Sequence, residues 1–439
     1  MLIEFKATNF KSFGDELNFS MTKSPRLTEL GYSIFKKTVG SKKLQILPTS
    51  VIYGPNASGK TNIVSAMEVL KKIILRGSIN DSDEKMENAS TCFLCYVPNI
   101  HEKNKPVSFE IEFMIENHLF NYKLEFSLGN IFNIDRERKI LTEKLEFDNK
   151  EIFSRVENKI SLSNIKYLIK NNFISSTISP TIVKALETNI ISTELVLENG
   201  FKNIISSNTV ILFNKFLSEK LNVIYRANNL VSFPSIAKTE KIHEKTIIIN
   251  DDFKKIAKTF GEIDSIIGYH KDENGHLTLI SAIKNSENQS IAIPAQAFES
   301  YGTIRFFYLF PLIVETLKEG KTLVIDEFDA SIHPNVLINL ISLFHNDDIN
   351  IHQAQLIFNT HNPIFLNRNI FRRDEIKLVE RSENKNYSQC YRLSDFGTSG
   401  PNAVKLTDNY LEKYLDYNYG GISEIDFTDL MEQLINEKK

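Results

Sequence analysis

The segment from Gly54 to Thr61, GPNASGKT, has the residue types and spacing of a phosphate-binding loop. It matches GxxxxGK[ST] in full: backbone N–H groups point at a β-phosphate, Lys60 reaches the β- and γ-phosphate oxygens, and the Thr61 hydroxyl ligates Mg²⁺. A fortuitous glycine turn is the alternative, but a strand-like segment before the loop and a helical one after it favour phosphate binding. The candidate nucleotide-binding residues here are Gly54, Pro55, Asn56, Ala57, Ser58, Gly59, Lys60, Thr61 and Asn62.

Two adjacent carboxylates follow an apolar run at Leu323–Glu327, which reads LVIDE. Ligands bind at the carboxyl ends of parallel strands, so this pair is expected at a ligand site. Asp326 would hold the Mg²⁺ shell together with Thr61, and Glu327 would act as general base on the attacking water. An ordinary acidic strand end is the alternative, and the phosphate loop elsewhere in the chain argues against it.

A histidine ends the next apolar run, since residues 355–361 read QLIFNTH. At a strand tip near phosphates, His361 could sense the γ-phosphate and orient the water as a catalytic residue. A lone histidine is more often structural, but its place one strand after Asp326 and Glu327 favours the catalytic interpretation.

Ser300 and Gly302 precede a long helical pattern over Thr303–Lys318. A serine and a glycine at a helix N-terminus can bind an anion, which makes both of them candidate nucleotide contacts. A helix N-cap at Thr303 is the alternative.

The pattern of the chain predicts an α/β protein in three parts. Residues 1–161 combine a strand–loop–helix unit (strand Ile46–Tyr53, helix Asn62–Leu75) with an antiparallel meander over 91–155, preceded by a lysine-rich loop at Lys36–Lys43. Residues 162–262 are mainly helical, and residues 263–439 return to strands, with a hairpin signal around Gly275. The first and third parts are expected to form the two halves of one nucleotide-binding fold, separated in the sequence by a helical insertion.

Composition excludes several classes of protein. The chain has 439 residues, 42% of them hydrophobic, and a net charge of −3, so neither wholesale disorder nor a basic nucleic-acid coat is expected. Binding of nucleic acid would require a local basic patch, and the lysine-rich loop is a candidate for it. An ordinary solvated loop is at least as good an interpretation of the same residues. The longest apolar run, Phe306–Val314, is too short for a membrane span. Three cysteines (Cys92, Cys95, Cys390) predict a reducing, cytoplasmic setting rather than a disulfide framework.

In this order the motifs resemble the ABC-type ATPase heads of SMC and RecF proteins. The closer resemblance is to the compact AAA/ABC ATPases of bacterial anti-phage and abortive-infection systems, including the PARIS-type ATPase. The general resemblance rests on segments 9–13 (NFKSF), 54–62 (GPNASGKTN), 300–303 (SYGT), 326–334 (DEFDASIHP) and 358–362 (FNTHN). The closer resemblance rests in addition on segments 140–145 (ILTEKL), 372–376 (RRDEI), 410–411 (YL) and 419–420 (YG). The resemblance implies an ABC-type P-loop ATPase head, with a mixed β core, an antiparallel β subdomain and a helical insertion.

The resemblance also implies ATP and Mg²⁺ as cofactors and a homodimer or higher homo-oligomer. Lys60 and Thr61 of one subunit would face Ser300 and Gly302 of the other, and Asp326, Glu327 and His361 would complete the site. Two departures stand out. No Gln occurs between Asn62 and Glu287, where transporter heads carry one, and ASIH at residues 330–333 stands where many heads place Leu-Asp.

The resemblance leads us to expect an ATP-hydrolysing sensor or switch in anti-phage defence, which responds to a phage-derived trigger and controls a separate nuclease or toxin effector. A DNA repair or recombination ATPase of the SMC/RecF kind is the main alternative. A scaffold that binds ATP without turnover is less favoured because Glu327 and His361 are both present, and a transporter subunit is disfavoured by the missing glutamine.

Overall fold

A computed structural model describes the chain except residues 26, 28–29, 32–33, 81–97, 103–104, 130–136, 175–178, 226–240, 244–245, 249–265, 272–276, 285–289, 383–386, 398–402, 406, 423–425 and 437–439. The acidic residues Asp81, Asp83 and Glu84, whose sequence favours a solvated loop over a metal site, and the cysteines Cys92 and Cys95 lie outside the described residues. The strands are β1 (Leu2–Thr8), β2 (Leu17–Ser20), β3 (Phe35–Val39), β4 (Lys42–Ile46), β5 (Thr49–Tyr53), β6 (Val107–Ile115), β7 (His118–Ser127), β8 (Lys139–Phe147), β9 (Lys150–Val156), β10 (Lys159–Leu162), β11 (Leu221–Ile224), β12 (Lys241–His243), β13 (Thr246–Ile248), β14 (Ile266–Lys271), β15 (Leu277–Lys284), β16 (Ser290–Pro294), β17 (Thr322–Ile325), β18 (Gln355–Asn359), β19 (Ile376–Arg381) and β20 (Ser388–Arg392).

The helices are distributed between and around the sheets. The α-helices are α1 (Lys60–Arg76), α2 (Ile165–Lys170), α3 (Pro180–Asn189), α4 (Ser207–Lys215), α5 (Ala295–Phe298), α6 (Tyr301–Glu319), α7 (Pro334–His345), α8 (Tyr410–Leu415) and α9 (Thr428–Asn436). Two π-helices, Leu197–Ile205 and Phe216–Lys220, flank α4. Within the described ranges, no helix combines the length and hydropathy needed to cross a membrane.

The core sheet positions the candidate site. Its strand order is β11-β17-β18-β5-β19-β20, and all pairs are parallel except β19 with β20. Every residue of β5, β17 and β18 is buried, which explains why these strands read as unbroken apolar runs rather than alternating ones. Because the strands run parallel, the segments that follow β5, β17 and β18 emerge at one edge of the sheet.

A second sheet, antiparallel and seven-stranded, has the order β10-β9-β8-β7-β6-β1-β2. Burial alternates along β6 to β9, as expected of a sheet with one face in the core. Buried Gln355 joins the two sheets: its side-chain oxygen accepts from the Leu2 N–H at 2.6 Å, and its side-chain nitrogen donates to the Leu2 carbonyl at 3.0 Å. Strands from both ends of the chain therefore make one body, an α/β fold with a mixed β core and an antiparallel β subdomain, as the sequence predicted.

Most elements of the nucleotide unit agree with the prediction, but one expectation was wrong and another is incomplete. The lysine-rich segment Lys36–Lys43 is the β3–β4 hairpin rather than a loop, with Gly40 in the left-handed region at its turn. The segment 162–262 is mainly helical in its described residues up to Lys220, but Leu221–Ile224 forms β11 and pairs in parallel with β17. Four apolar-rich residues carry no local signal that separates strand from helix, so the distant partner strand decides the conformation.

Candidate nucleotide-binding site

The loop after β5 is shaped to bring its backbone close to a ligand. Gly54 packs so tightly that an added Cβ would clash with the Val379 carbonyl, and Gly59 has a φ of 113°, which favours glycine. Ala57 also has a positive φ, 61°, although it is not a glycine. Left-handed conformations at Ala57 and Gly59 can turn N–H groups of the loop toward a common concavity, the arrangement that binds anions.

The Lys60 side chain folds back over this loop. Its Nζ donates to the Gly54 carbonyl at 2.6 Å and to the Pro55 carbonyl at 2.9 Å. Burial lowers the pKa of Lys60 to about 8, against the opposing effect of the carboxylates Asp326 and Glu327, which favour the charged form. A phosphate bound in the loop would supply the negative charge that restores the ammonium form.

Thr61 and Asp326 meet across the sheet edge. The Thr61 hydroxyl donates to Asp326 Oδ1 at 3.0 Å, and the amide of Asn359 donates to the same carboxylate oxygen. A hydroxyl and a carboxylate are the hard oxygen ligands that Mg²⁺ prefers, usually with waters and phosphate oxygens completing the octahedron. The buried Asp326 is fixed by two side chains before any ion binds.

Glu327 is held through its backbone while its side chain stays exposed. It adopts a φ of 51°, a costly value for a non-glycine residue. Its N–H donates to Asn359 Oδ1 at 2.6 Å, and its carbonyl accepts from the Arg305 guanidinium. Strain held by such contacts is typical of functional sites, and here it directs a free carboxylate out of the sheet edge.

His361 lies at the same edge, on the segment that follows β18, with an exposed ring. The pKa of His361 is lowered mainly by partial desolvation and, to a lesser extent, by the Lys60 ammonium. The carboxylates of Asp326, Glu327 and Asp329 act in the opposite direction. The ring is therefore neutral at neutral pH and retains one nitrogen that can accept a hydrogen bond. The preceding Thr360 donates to Asp329 Oδ2 at 2.7 Å, which ties the histidine segment to the turn after Asp326 and Glu327.

Ser300 and Gly302 lie at the N-terminal end of α6, and their contacts are within this helix and with the loop after β17. Ser300 is the N-cap of α6, and its hydroxyl accepts from the Thr303 N–H at 3.1 Å. Gly302 allows the helix to approach the loop after β17, because a Cβ there would clash with the Ser331 carbonyl. Both residues are at least partly accessible at a helix N-terminus, so their expected role in nucleotide binding stays a prediction.

Several residues of the site were not among the candidates from the sequence. Asn359 and Arg305 orient the two carboxylates, and Asn359 could have been found from its position two residues before His361. Ser12 and Ser388 support the loop from outside: Ser12 Oγ accepts from the Asn62 amide at 2.8 Å, and Ser388 Oγ donates to the Ser58 carbonyl. Nothing in the local sequence marks Ser388, which reaches the loop only because β20 is at the edge of the same sheet.

The residues present fit a nucleoside triphosphate with Mg²⁺. The loop offers a concavity that a side chain would fill. Within the described part of the chain, Lys60 is bonded to carbonyls of its own loop, and the buried Ser58 hydroxyl has no hydrogen-bond partner. Thr61 and Asp326 supply the oxygen donors for the ion. Among the described residues, no group of three or more His, Cys, Asp or Glu side chains could hold a metal by themselves, so phosphate oxygens and waters would complete the shell.

Residues 50–367 match the family model described as "AAA domain, putative AbiEii toxin, Type IV TA system". The chain belongs to this AAA-domain family. The matched segment contains the phosphate loop, both carboxylates, His361 and the Ser300–Gly302 pair, so all of the candidate residues lie within the AAA domain.

Among solved structures, the AAA-domain chain resembles the SMC head domain from Thermotoga maritima, at 12% sequence identity and a TM-score of 0.37. The similarity covers 89% of this chain and 98% of that one. No protein of curated function matches the chain.

Proposed function

We propose that this protein is an ATPase that binds ATP with Mg²⁺ and hydrolyses it to ADP and phosphate. The proposal is supported by one observation above all: a single sheet edge gathers Lys60, Thr61, Asp326, Glu327 and His361. These are the groups that phosphoryl transfer to water requires, namely a phosphate cradle, ion ligands, a base and a water-orienting residue.

Each residue has a distinct role in this mechanism. The loop N–H groups and Lys60 bind the β- and γ-phosphates, and Thr61 with Asp326 holds the ion that neutralises charge developing on them. The exposed Glu327 carboxylate accepts a proton from the attacking water, and neutral His361 orients that water by hydrogen bonding.

We further propose that hydrolysis requires two copies. Ser300 and Gly302 are accessible at the N-terminus of the 19-residue helix α6, where aligned peptide dipoles favour an anion. In a sandwich they would face the nucleotide held by Lys60 and Thr61 of the opposite copy. Binding of ATP would thereby close the dimer, and hydrolysis would open it.

The biological role that we propose is a cytoplasmic sensor or switch in bacterial anti-phage defence, as in abortive infection. The description of the family names a toxin of a toxin–antitoxin system, which supports a partnership with a separate nuclease or toxin effector. The segment from Ile165 to Lys220 lies outside the core sheet and, with the part of the chain after Arg372, is the proposed surface for that effector or for a phage-derived trigger. We propose residues 1–161, 162–262 and 263–439 as the three parts of the chain. Strand β11 of the middle part belongs to the core sheet.

The test is ATP turnover by the purified chain and by Glu327→Gln. An amide cannot accept the proton from water, so this variant should bind ATP with unchanged affinity and hydrolyse it on the order of 10²-fold more slowly or worse. Glu319→Gln, a change of the same kind at an exposed position, should behave as wild type. Wild-type turnover by Glu327→Gln would exclude Glu327 as the base, and no turnover by the wild type with or without effector would exclude the ATPase.

A DNA repair or recombination ATPase of the SMC/RecF kind is a second candidate. It is favoured by the β3–β4 hairpin, whose accessible lysines Lys36, Lys37 and Lys43 suit a phosphate backbone. Stimulation of ATP turnover by duplex DNA, lost in Lys36→Glu/Lys43→Glu, would favour this candidate over the defence switch.

A further inference from the structure

Helix α9 leaves a complete apolar face uncovered. Five large apolar side chains, each between 49% and 65% exposed, lie at spacings of three and four residues: Phe427, Leu430, Met431, Leu434 and Ile435. This spacing places them in one stripe along the helix, the pattern of a helix that packs against another surface. An exposed stripe of this size marks an interaction site rather than ordinary surface variation.

A groove with matching properties lies at the other end of the molecule. It has a volume of about 1020 Å³ and is formed by β10, α2 and α3. Apolar side chains from all three elements line it: Ile160, Leu162, Ile165, Ile169 and Val183. The groove can therefore cover an apolar face of roughly the length of a two-turn helix.

The groove favours a helix over an added strand. Strand β10 is an edge strand of only four residues. The Ile160 N–H is already bonded to Glu187 Oε1 at 2.9 Å. Since an incoming strand needs free backbone groups at the edge, this contact blocks strand addition. The groove must therefore recognise its ligand through side-chain contacts.

The charges of the two surfaces are complementary. Four lysines line the groove, Lys150, Lys166, Lys170 and Lys184, against one acidic residue, Glu187, whose carboxylate accepts from the Ile160 N–H. From Asp426 to Asn436 the chain carries three acidic residues and no basic one. Glu432 borders the apolar stripe, while Asp429 lies on the opposite side of the helix. Opposite charges around an apolar centre give orientation and specificity to such a contact.

The apolar stripe of helix α9 does not occupy the groove of its own chain, since all five of its side chains are exposed. Gly421 packs on Leu378 of β19, and the neighbouring strand β20 is bonded to the segment after β2 through Arg392 and Thr22. Strands β2 and β10 are opposite edges of the seven-stranded sheet, separated by six strand intervals of about 4.8 Å, or about 29 Å. Fully extended, the six residues from Ile422 to Phe427 span about 20 Å, and the nine residues of α9 add about 13 Å. Only the far end of α9 could therefore come to an edge about 29 Å away, so its apolar stripe cannot lie along the groove of the same chain.

From these observations we propose that helix α9 of one copy of this chain docks in the lysine-rimmed groove of a second copy. The contact uses no residue of the nucleotide site and needs no nucleotide. It assigns α9 and the groove to a second copy, and the surface proposed for the effector is then Leu197–Lys220 with the part of the chain from Arg372 to Gly421. The contact would link copies head to tail, in addition to the ATP-dependent sandwich, and so assemble rings or chains of ATPase heads.

Sedimentation of the full chain without nucleotide tests this contact. Self-association should weaken on the order of 30-fold in Leu430→Asp/Leu434→Asp, which places charges in the apolar centre, and also in Lys166→Glu/Lys170→Glu. Ile351→Asp, at an exposed apolar residue elsewhere, should leave association unchanged, as should Lys60→Ala in the phosphate loop. Combining Glu432→Lys, at the border of the apolar stripe, with Lys166→Glu/Lys170→Glu should restore part of the association, whereas Asp429→Lys, on the opposite side of the helix, should not.

Cross-linking identifies the two surfaces directly. An oxidised mixture of Leu434→Cys chains and Val183→Cys chains should give a disulfide-linked pair that neither variant forms alone. The proposal is overturned if the wild-type chain is monomeric at all concentrations, if neither pair of substitutions weakens association, or if the mixed chains do not cross-link. Because the assay omits ATP, its failure leaves the ATPase assignment untouched.

Discussion

The guanidinium of Arg305 donates a hydrogen bond to the backbone carbonyl of Glu327. Arg305 lies little more than one turn into α6, the helix whose N-terminus presents Ser300 and Gly302. The helix that we propose to meet the partner's nucleotide is thus bonded to the strained residue that carries the proposed base. Movement of α6 on dimer closure would be transmitted to the Glu327 carboxylate through this bond.

We predict that Arg305→Met lowers kcat about 10- to 100-fold while ATP affinity stays near the wild-type value, since Glu327 would lose its support and misplaced catalytic groups are costly. Arg305→Lys should recover part of the rate because it keeps a donor. Steady-state kinetics and ATP-binding measurements on the two Arg305 variants check these predictions. Arg381→Met, at the exposed end of a strand, is the control. A loss of affinity with unchanged kcat would show that Arg305 does not act through Glu327.

Ser300→Arg should bind ATP through its own Lys60 yet fail to form the ATP-dependent dimer. A bulky cation at the α6 N-terminus would oppose the helix dipole and fill the space of the opposing nucleotide. Light scattering with a non-hydrolysable ATP analogue measures the change, and Ser342→Arg on the exposed face of α7 is the control. A wild-type shift to dimer in Ser300→Arg would exclude the sandwich.

ATP affinity should fall as pH rises above 8. Burial lowers the pKa of Lys60 from 10.5 to about 8 in the free protein, so the loop loses its ammonium charge above that pH. Binding of phosphate requires the charged form, and the dissociation constant should therefore be level from pH 7 to 8 and rise toward tenfold per pH unit beyond it. Lys60→Arg, which remains charged, should bind with no such dependence. A wild-type profile that stays level to pH 9.5 would contradict the assignment.

The segment Ile165–Lys220 should be separable from catalysis. Ile204 and Ile211 are 48% and 57% exposed there, and Ile204→Glu/Ile211→Glu should leave basal ATP hydrolysis unchanged. A pull-down with the product of the neighbouring gene should lose binding in this variant and keep it in Ile351→Glu. Retained binding would place the effector elsewhere, and phage protection by this chain alone would refute the separate effector.

The sequence by itself determined the local chemistry of the nucleotide unit. A loop such as GPNASGKT works through its own backbone, and the short apolar runs before Gly54, Asp326 and His361, each ending at polar or turn-forming residues, favour buried strands. These features depend on neighbours in the chain, so the element types and the α/β class could be predicted from the sequence.

The tertiary structure alone decided what supports that chemistry. Asn359 bonds to both Asp326 and Glu327, and Ser388 reaches the loop from β20, because parallel pairing brings distant strand ends together. The position of Leu221–Ile224 in the core sheet likewise depends on pairing with β17, about 100 residues away. Such contacts are set by strand order and register. Neither is encoded in local residue patterns.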